Sequence, residues 1–396
     1  MAGSASLPAS TAATARDRTS DRTASIPWYV WCSVLAVTSA MIGGHWDIAW
    51  HRSIGRDTFW TPAHIAIYLC GILAGISCAY LILSTTLGRS QFPREATVGM
   101  WGFRGPLGAF IAAWGGVAML TSAPFDDWWH SAYGLDVKIV SPPHVLLIMG
   151  ILAAELGSLI LVLGQMNRSE GIVRRRLNAI FIYLAAMILV ILTILTMEYI
   201  WRPYMHSAFF YRVVAIAIPM VLTGVAVVSE VRWAATFAAG IYSLFLMSLV
   251  WILPLFPAEP KLGPVYTQVT HFIPPEFPLL LVIPALAVDL VLWRGRTWSR
   301  WVRSVAAGSA FLVIFAAIQW PFANFLMSPL ARNWFFGTHY FDYNSRPTSA
   351  YQQYRFLVVE KTAGQFWTEM AIAVVCAIVM TRLGLAWGEW MRRVRR

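Results

Sequence analysis

Stretches of apolar residues long enough to cross a bilayer recur along nearly the whole chain, separated by short polar segments. A helix needs about 20 such residues to cross the hydrocarbon core, and only helices or closed barrels satisfy their backbone hydrogen bonds there. The pattern therefore predicts an all-α fold, a polytopic integral membrane helical bundle. Ten spans are expected, at about 27–45, 62–87, 107–123, 142–165, 177–200, 207–229, 232–256, 274–293, 302–326 and 365–390.

The composition agrees with a membrane protein, because 58% of the residues are hydrophobic and only 12% are charged. Soluble domains carry about 25% charged residues. The four cysteines all fall within predicted spans, which favours small buried apolar residues over a disulfide framework. They are Cys32, Cys70, Cys78 and Cys376.

The arginines predict how the chain crosses the membrane. They are concentrated at both termini and in every second segment between spans, for example at Arg89, Arg168 and Arg294. Segments rich in Lys and Arg stay on the cytoplasmic side, so both termini are predicted to be cytoplasmic. Cytoplasmic loops facing anionic lipid then account for the net charge of +11 without any nucleic acid.

Three regions are expected along the chain. Residues 1–25 are rich in Ala, Ser and Thr and should form a disordered cytoplasmic tail. A membrane module that carries the candidate metal ligands follows at 26–165. A further transmembrane bundle occupies 166–396, and its outer, aromatic-rich loop at 327–364 should cover the bundle or dock a partner.

Two short motifs repeat each other and are rich in metal-binding side chains. The first has Asp47 and His51 four residues apart, followed after thirteen residues by His64. The second has Asp126 and His130, followed after fourteen residues by His144. A tryptophan precedes each first histidine, and a proline stands shortly before each second one.

The spacing predicts two metal sites, each made of one carboxylate and two imidazoles. Residues four apart share a helix face, and a proline favours the first turn of a helix. A short loop between two antiparallel helices would therefore bring the three side chains of each motif together. Such ligands suit non-haem iron, copper and zinc, and the ligands alone do not choose among them. The arginine pattern places both sites on the outer side of the membrane.

Residues 47–64 resemble the first metal motif of the C subunit of copper membrane monooxygenases, which include the particulate methane, ammonia and short-alkane monooxygenases. That family shows Asp-x-x-Trp-His, then Arg-Asp-Thr, then Thr-Pro-x-His. Asp47, His51 and His64 match its copper ligands. Its second motif, Asn-Glu-Trp-x-His followed by Ala-Pro-x-His, is similar to 126–144. The resemblance extends over about 27–165, with Asp126 in place of the family's asparagine.

The resemblance implies a copper-binding membrane subunit of a monooxygenase-like complex that oxidises a small apolar substrate with O₂. Asp47, His51 and His64 would form the candidate catalytic metal centre. Chains resembling the A and B subunits of that family would be separate partners, and the protein would lie in a bacterial-type inner or plasma membrane. The alternative function is copper acquisition, storage or delivery without catalysis.

Several other polar residues are weaker candidates. His45 could be an extra ligand, whereas Asp57 and Arg56 are expected to orient a ligand or brace the loop. Asp127 and Asp136 are expected to be solvated or to support the ligands. The remaining candidates lie near predicted span ends or in the outer loop, and are Glu198, Arg202, His206, His271, Glu276, His339 and Asp342.

Overall fold

The computed structural model describes residues 25–89, 92–134, 141–261, 269–340 and 356–396. The described chain is mostly helical, which confirms the predicted all-α membrane bundle. Its α-helices are α1 (Trp28–Ser53), α2 (Pro62–Thr86), α3 (Leu107–Tyr133), α4 (Pro142–Met166), α5 (Gly171–Thr196), α6 (Ala208–Ala217), α7 (Pro219–Val228), α8 (Ala234–Ile252), α9 (Val282–Arg294), α10 (Arg300–Leu326) and α11 (Ala363–Met391). A small antiparallel hairpin joins α2 to α3 through strands β1 (Val98–Met100) and β2 (Phe103–Gly105).

Eight helical stretches among the described residues are long and apolar enough to cross a membrane, whereas the sequence pattern predicted ten. Seven of them correspond to single helices: α2, α3, α4, α5, α8 with the turn after it, α10 and α11. The eighth, Ala208–Val228, comprises α6 and α7. These two helices are separate because Pro219 has no N–H to continue the backbone ladder.

Two predicted spans differ from what the structure shows. The span expected at 27–45 is a helix, α1, but it runs on to Ser53 and includes Asp47 and His51 of the first motif. The span expected at 274–293 is wrong in its first part, because 274–281 is not helical. Pro274, Pro275 and Pro278 interrupt that segment. The remaining helix, α9, has 13 residues and is only about 20 Å long, too short to span the bilayer.

Close contacts at glycines hold the first four helices together. A Cβ at Gly43 of α1 would lie 2.7 Å from Cγ1 of Ile67 in α2, and one at Gly115 of α3 would lie 2.5 Å from the backbone nitrogen of Ala154 in α4. Small residues let membrane helices approach closely. One buried hydrophobic core continues from these helices through the second half of the chain.

The two ends of the described chain lie at the end of the bundle opposite the Asp-His motifs. His144 is in the first turn of α4, which is about 37 Å long. At the other end of α4, Asn167 donates a hydrogen bond to the carbonyl of Met391, at 2.9 Å. The hydroxyl of Tyr29 donates to Oε1 of Gln165 at the same end, over 3.4 Å.

Two expected features fall outside the described residues. The tail predicted at 1–25 lies outside them except for Ser25, and so does the centre of the 327–364 loop, including Asp342.

Arg212, a charged residue within the Ala208–Val228 stretch, forms an ion pair with Glu369 of α11. Pairing of this kind is the usual environment of a charged group inside a membrane bundle.

Candidate metal centre

The first motif forms a cluster where α1 ends and α2 begins. Asp47 and His51 lie one turn apart on α1, and His64 is the third residue of α2, which starts at Pro62. Nε2 of His64 lies 3.1 Å from Oδ1 of Asp47, and Nε2 of His51 lies 3.8 Å from Oδ2 of the same carboxylate. The structure therefore brings together the three residues that the spacing singled out.

Asp57 joins this first cluster directly, a position for which the sequence suggested only a supporting role. Its Oδ2 lies 3.4 Å from Nε2 of His51 and 3.2 Å from Nε2 of His64, and its side chain is 8% exposed. Burial acts to raise the pKa of the Asp57 carboxyl, but the two neighbouring histidines outweigh burial and hold the pKa well below its ordinary value. Asp57 is therefore a carboxylate anion in the ligand-bearing group.

The loop between α1 and α2 fixes the position of Asp57. Gly55, two residues after the end of α1, lies in the left-handed region, with a φ of 86° that favours glycine. Nε1 of Trp50 donates to the carbonyl of Arg56 over 2.9 Å, and the backbone nitrogen of Thr58 donates to Oγ1 of Thr61 over 2.8 Å. These contacts on both sides turn the carboxylate toward the histidines.

The second motif forms an equivalent cluster where α3 ends and α4 begins. Oδ2 of Asp126 lies 3.5 Å from Nε2 of His130, and Oδ1 lies 3.5 Å from Nε2 of His144. Pro142 starts α4, and the side chain of Ser141 accepts a hydrogen bond from the backbone nitrogen of His144 at the helix N-terminus. Both second histidines thus occupy the third residue of a helix that starts with proline.

His130 is oriented for ligation through Nε2. Its Nδ1 lies 3.1 Å from the carbonyl oxygen of Gly134, the residue that ends α3. Because a carbonyl can only accept, Nδ1 is the donor, and the neutral ring carries its lone pair on Nε2. In this neutral tautomer the Nε2 lone pair faces Oδ2 of Asp126 across 3.5 Å. A cation placed between them would be bound by both atoms.

The distances in both clusters fit ligands around a common ion. Ligands about 2.0–2.2 Å from a tetrahedral metal lie about 3.3–3.6 Å from one another. The nitrogen–oxygen distances are 3.1 to 3.8 Å in the first cluster and 3.5 Å in the second. Oδ1 of Asp47 and Oδ1 of Asp126 are buried, and each lies against a histidine Nε2, at 3.1 Å from His64 and 3.5 Å from His144. Buried acceptors of this kind are costly unless a proton or an ion satisfies them.

The two clusters share a cavity. A space of about 100 Å³ is lined by Asp47 and His64 from the first cluster and by Asp126 and His144 from the second. Asp126 is near enough to His64 to interact with it electrostatically. The two clusters therefore form one connected region, built from four consecutive helices at one end of the bundle.

His45, a possible extra ligand from the sequence, lies apart from both clusters. It is 6% exposed, and its Nδ1 lies 2.9 Å from the carbonyl of Met41, to which it donates. Its ring packs edge-on against Phe245 of α8. Asp127 is exposed and outside the second cluster, as expected for a solvated residue, and Asp136 lies outside the described residues.

The weaker candidates in the second half make contacts other than metal ligation. Arg202 forms an ion pair with Glu276. The ring of His206 is stacked between aromatic rings, with centroid distances of 4.2 Å to Trp320 and 3.8 Å to Phe356. Tyr340 packs against two further candidates, stacked on His271 and edge-on to His339.

Comparisons of this chain with protein-family profiles, with curated proteins and with solved structures gave no match. The geometry of the two clusters and the motifs that form them are therefore the observations from which a function is argued.

Proposed function

We propose that this protein binds one metal ion in each of the two clusters and that the metal is copper. The observation that carries the proposal is the repeated set of histidines and carboxylates, whose atoms lie at ligand-to-ligand distances and include the buried Oδ1 atoms of Asp47 and Asp126. The choice of copper rests on the motif resemblance. Iron and zinc suit the same ligands, and elemental analysis discriminates among the three.

The proposed role is that of a metal-binding subunit in a monooxygenase-like complex that oxidises a small apolar substrate with O₂. Copper, when bound, would supply one-electron chemistry toward O₂. The residues of this chain would hold the ions through neutral imidazoles and ionised carboxylates, so that metal affinity falls at acidic pH. The apolar residues around the shared cavity, such as Ile67 and Ile151, would exclude water.

The proposed location is a bacterial-type inner or plasma membrane, with the metal clusters on the outer side. Both ends of the described chain lie opposite the clusters, and the arginines of the segments after α2, α4 and α9 lie at that same opposite end. The preference of Lys and Arg for cytoplasmic loops supports this orientation. Separate chains resembling the A and B subunits would complete the complex.

A second candidate function is copper acquisition, storage or delivery without catalysis. The observation in its favour is that the described residues of this chain supply two carboxylates and two imidazoles to the first cluster and one carboxylate and two imidazoles to the second. Oxidation of a short hydrocarbon that depends on O₂ and on the copper-loaded complex would support the enzyme. Metal transfer to an acceptor protein without such oxidation would support delivery.

The metal content of the purified protein tests the central proposal. Elemental analysis with electron paramagnetic resonance should find about two copper equivalents per chain. His51→Ala and His130→Ala should each remove one of them, and the double variant should remove both. A wild-type protein that binds no metal after copper loading, or variants that keep both equivalents, would overturn the proposal.

A further inference from the structure

A second and larger cavity lies on the side of α1 that faces the second half of the chain. Its volume is about 360 Å³, and it is a partly open cleft bounded by α1, the end of α5 with residues 197–205, α8 and the non-helical segment 275–279. Its walls are mainly apolar and include Ile48, Ile194, Met197, Leu246 and Leu279. We call this space the apolar chamber.

The apolar chamber adjoins the cavity between the metal clusters. Ile48 of α1 and Ile194 of α5 line both spaces, so their side chains form the partition between them. Ile48 directly follows Asp47 along α1. A molecule held in the chamber is therefore separated from the first metal cluster by the thickness of a side chain.

The wall formed by 275–279 is held by specific polar contacts. Glu276 pairs with Arg202 and also accepts a hydrogen bond from the backbone nitrogen of Arg202 over 3.1 Å. The hydroxyl of Tyr242 accepts from the backbone nitrogen of Leu279 over 3.3 Å. Each contact joins this segment to a different element. The contacts therefore fix the position of the segment and with it the wall of the chamber.

The size and lining of the chamber indicate the class of molecule that it would bind. An enclosed apolar cavity of about 150 Å³ is large enough to bind benzene. By proportion, a chamber of about 360 Å³ has room for a hydrocarbon of roughly ten to fourteen carbons. Pockets of this size and apolar character are typical of small-molecule sites.

We propose that the apolar chamber binds one free, straight-chain hydrocarbon of about ten carbons and holds it beside the metal clusters as the substrate. The oxidation step rests on the proposed function: one oxygen atom of O₂ would enter a C–H bond and the other would leave as water, with two electrons from a separate electron-donor protein and two protons from water. Binding of the hydrocarbon depends only on the chamber. The charged residues Arg52, Glu198 and Glu276 also line it, and they lie near helix ends on the side of the metal clusters. The hydrocarbon would therefore contact the walls farther from these charges, around Leu246 and Tyr242.

The test uses the full chain in lipid nanodiscs, stripped of metal by a chelator, with 1-fluorodecane as the probe. Fluorine NMR should show a bound resonance that is distinct from the resonance of probe dissolved in lipid. Leu246 is 4% exposed and faces the chamber, so Leu246→Trp should fill the space and weaken binding at least tenfold. Met197, directly after α5, also lines the chamber, so Met197→Trp should weaken binding to a similar extent.

The matched control is Leu244→Trp, on the same helix as Leu246 but 66% exposed and outside the chamber lining. It should keep the bound resonance. Circular dichroism and monodisperse elution of the Leu246→Trp and Met197→Trp variants, matching the wild type, would show that both are folded. Absence of a bound resonance in the wild type, or equal loss in Leu244→Trp, would overturn the inference.

Two further outcomes distinguish hydrocarbon binding from phospholipid binding and from the metal proposal. A tightly bound phospholipid found by native mass spectrometry in the wild type, and lost in Leu246→Trp, would assign the chamber to lipid and overturn the inference. Because the binding test uses metal-free protein, its failure leaves the metal proposal intact. Conversely, loss of metal binding would leave the bound probe resonance unchanged.

Discussion

The Oδ2 atom of Asp57 lies 3.2 Å from Nε2 of His64, although the two residues belong to different elements, a loop and the first turn of α2. His51 approaches the same oxygen at 3.4 Å. The first cluster therefore contains two carboxylates and two imidazoles, whereas the described part of the second contains one carboxylate and two imidazoles. An added carboxylate increases the negative charge available to a divalent cation, so the first site should bind metal more tightly.

Asp57→Asn should weaken metal binding at the first cluster by about 10–100-fold while the second cluster stays loaded. The substitution preserves the shape of the side chain but removes its charge, and with it one anionic ligand. Competition titration with a copper chelator measures the two affinities separately.

Asp127→Asn provides the control for this prediction, because Asp127 is next to a ligand in sequence but is exposed and outside the clusters. It should leave both affinities unchanged. If Asp57→Asn binds copper as tightly as the wild type, Asp57 acts only as a brace for the loop.

The cluster residues could be predicted from the sequence because their positions depend on regular local geometry. A spacing of four residues places Asp47 beside His51 on any α-helix, and a proline two residues before His64 marks a helix start. The same two rules place Asp126, His130 and His144. Helical periodicity therefore suffices to predict that the three side chains of each motif lie close together.

The role of Asp57 and the existence of the apolar chamber could not be predicted in this way. Asp57 points inward because Gly55 takes a positive φ and Trp50 holds the loop, and neither effect follows from a repeating pattern. The chamber exists because 274–281 is not helical, although its composition resembles a span. Pro274 and Pro275 were visible in the sequence and could have indicated the break.

Gly43→Ala should disturb the first cluster from a position one turn before Asp47. The new Cβ would lie 2.7 Å from the side chain of Ile67 and 2.8 Å from its backbone nitrogen, so α1 and α2 would have to separate. Overpacking of this kind costs about 1–3 kcal/mol. Unfolding in mixed detergent micelles should show this loss of stability, and the affinity of the first cluster should fall.

Gly75→Ala is the matched control on α2, because a Cβ at Gly75 would meet no atom within 4 Å among the described residues. Its stability and metal affinity should equal or exceed those of the wild type, since alanine favours a helix more than glycine does. A Gly43→Ala protein with unchanged stability and affinity would show that the close approach of α1 and α2 does not position the ligands.

The proposed orientation predicts which ends of the helices react with a reagent outside the cell. Trp60, in the loop before α2, is 72% exposed, and Leu87, directly after α2, is 65% exposed. A membrane-impermeant maleimide should label Trp60→Cys in intact cells but label Leu87→Cys only after permeabilisation. The unsubstituted chain gives the background from its four native cysteines, and the reverse labelling pattern would place the clusters on the cytoplasmic side.

The second cluster gives the most direct test of the duplicated motif, because its helices differ from those of the first. His130→Ala should remove about one metal equivalent and leave the first cluster loaded, since Asp47, His51, Asp57 and His64 do not depend on α3 for their contacts with one another. Asp126→Asn should weaken binding by about 10–100-fold without abolishing it, because an amide oxygen can still coordinate but carries no charge. Elemental analysis and electron paramagnetic resonance, on both variants at equal copper loading, measure the two effects. An unchanged metal content and copper spectrum in His130→Ala would show that His130 holds no copper and would overturn the proposal of two metal sites.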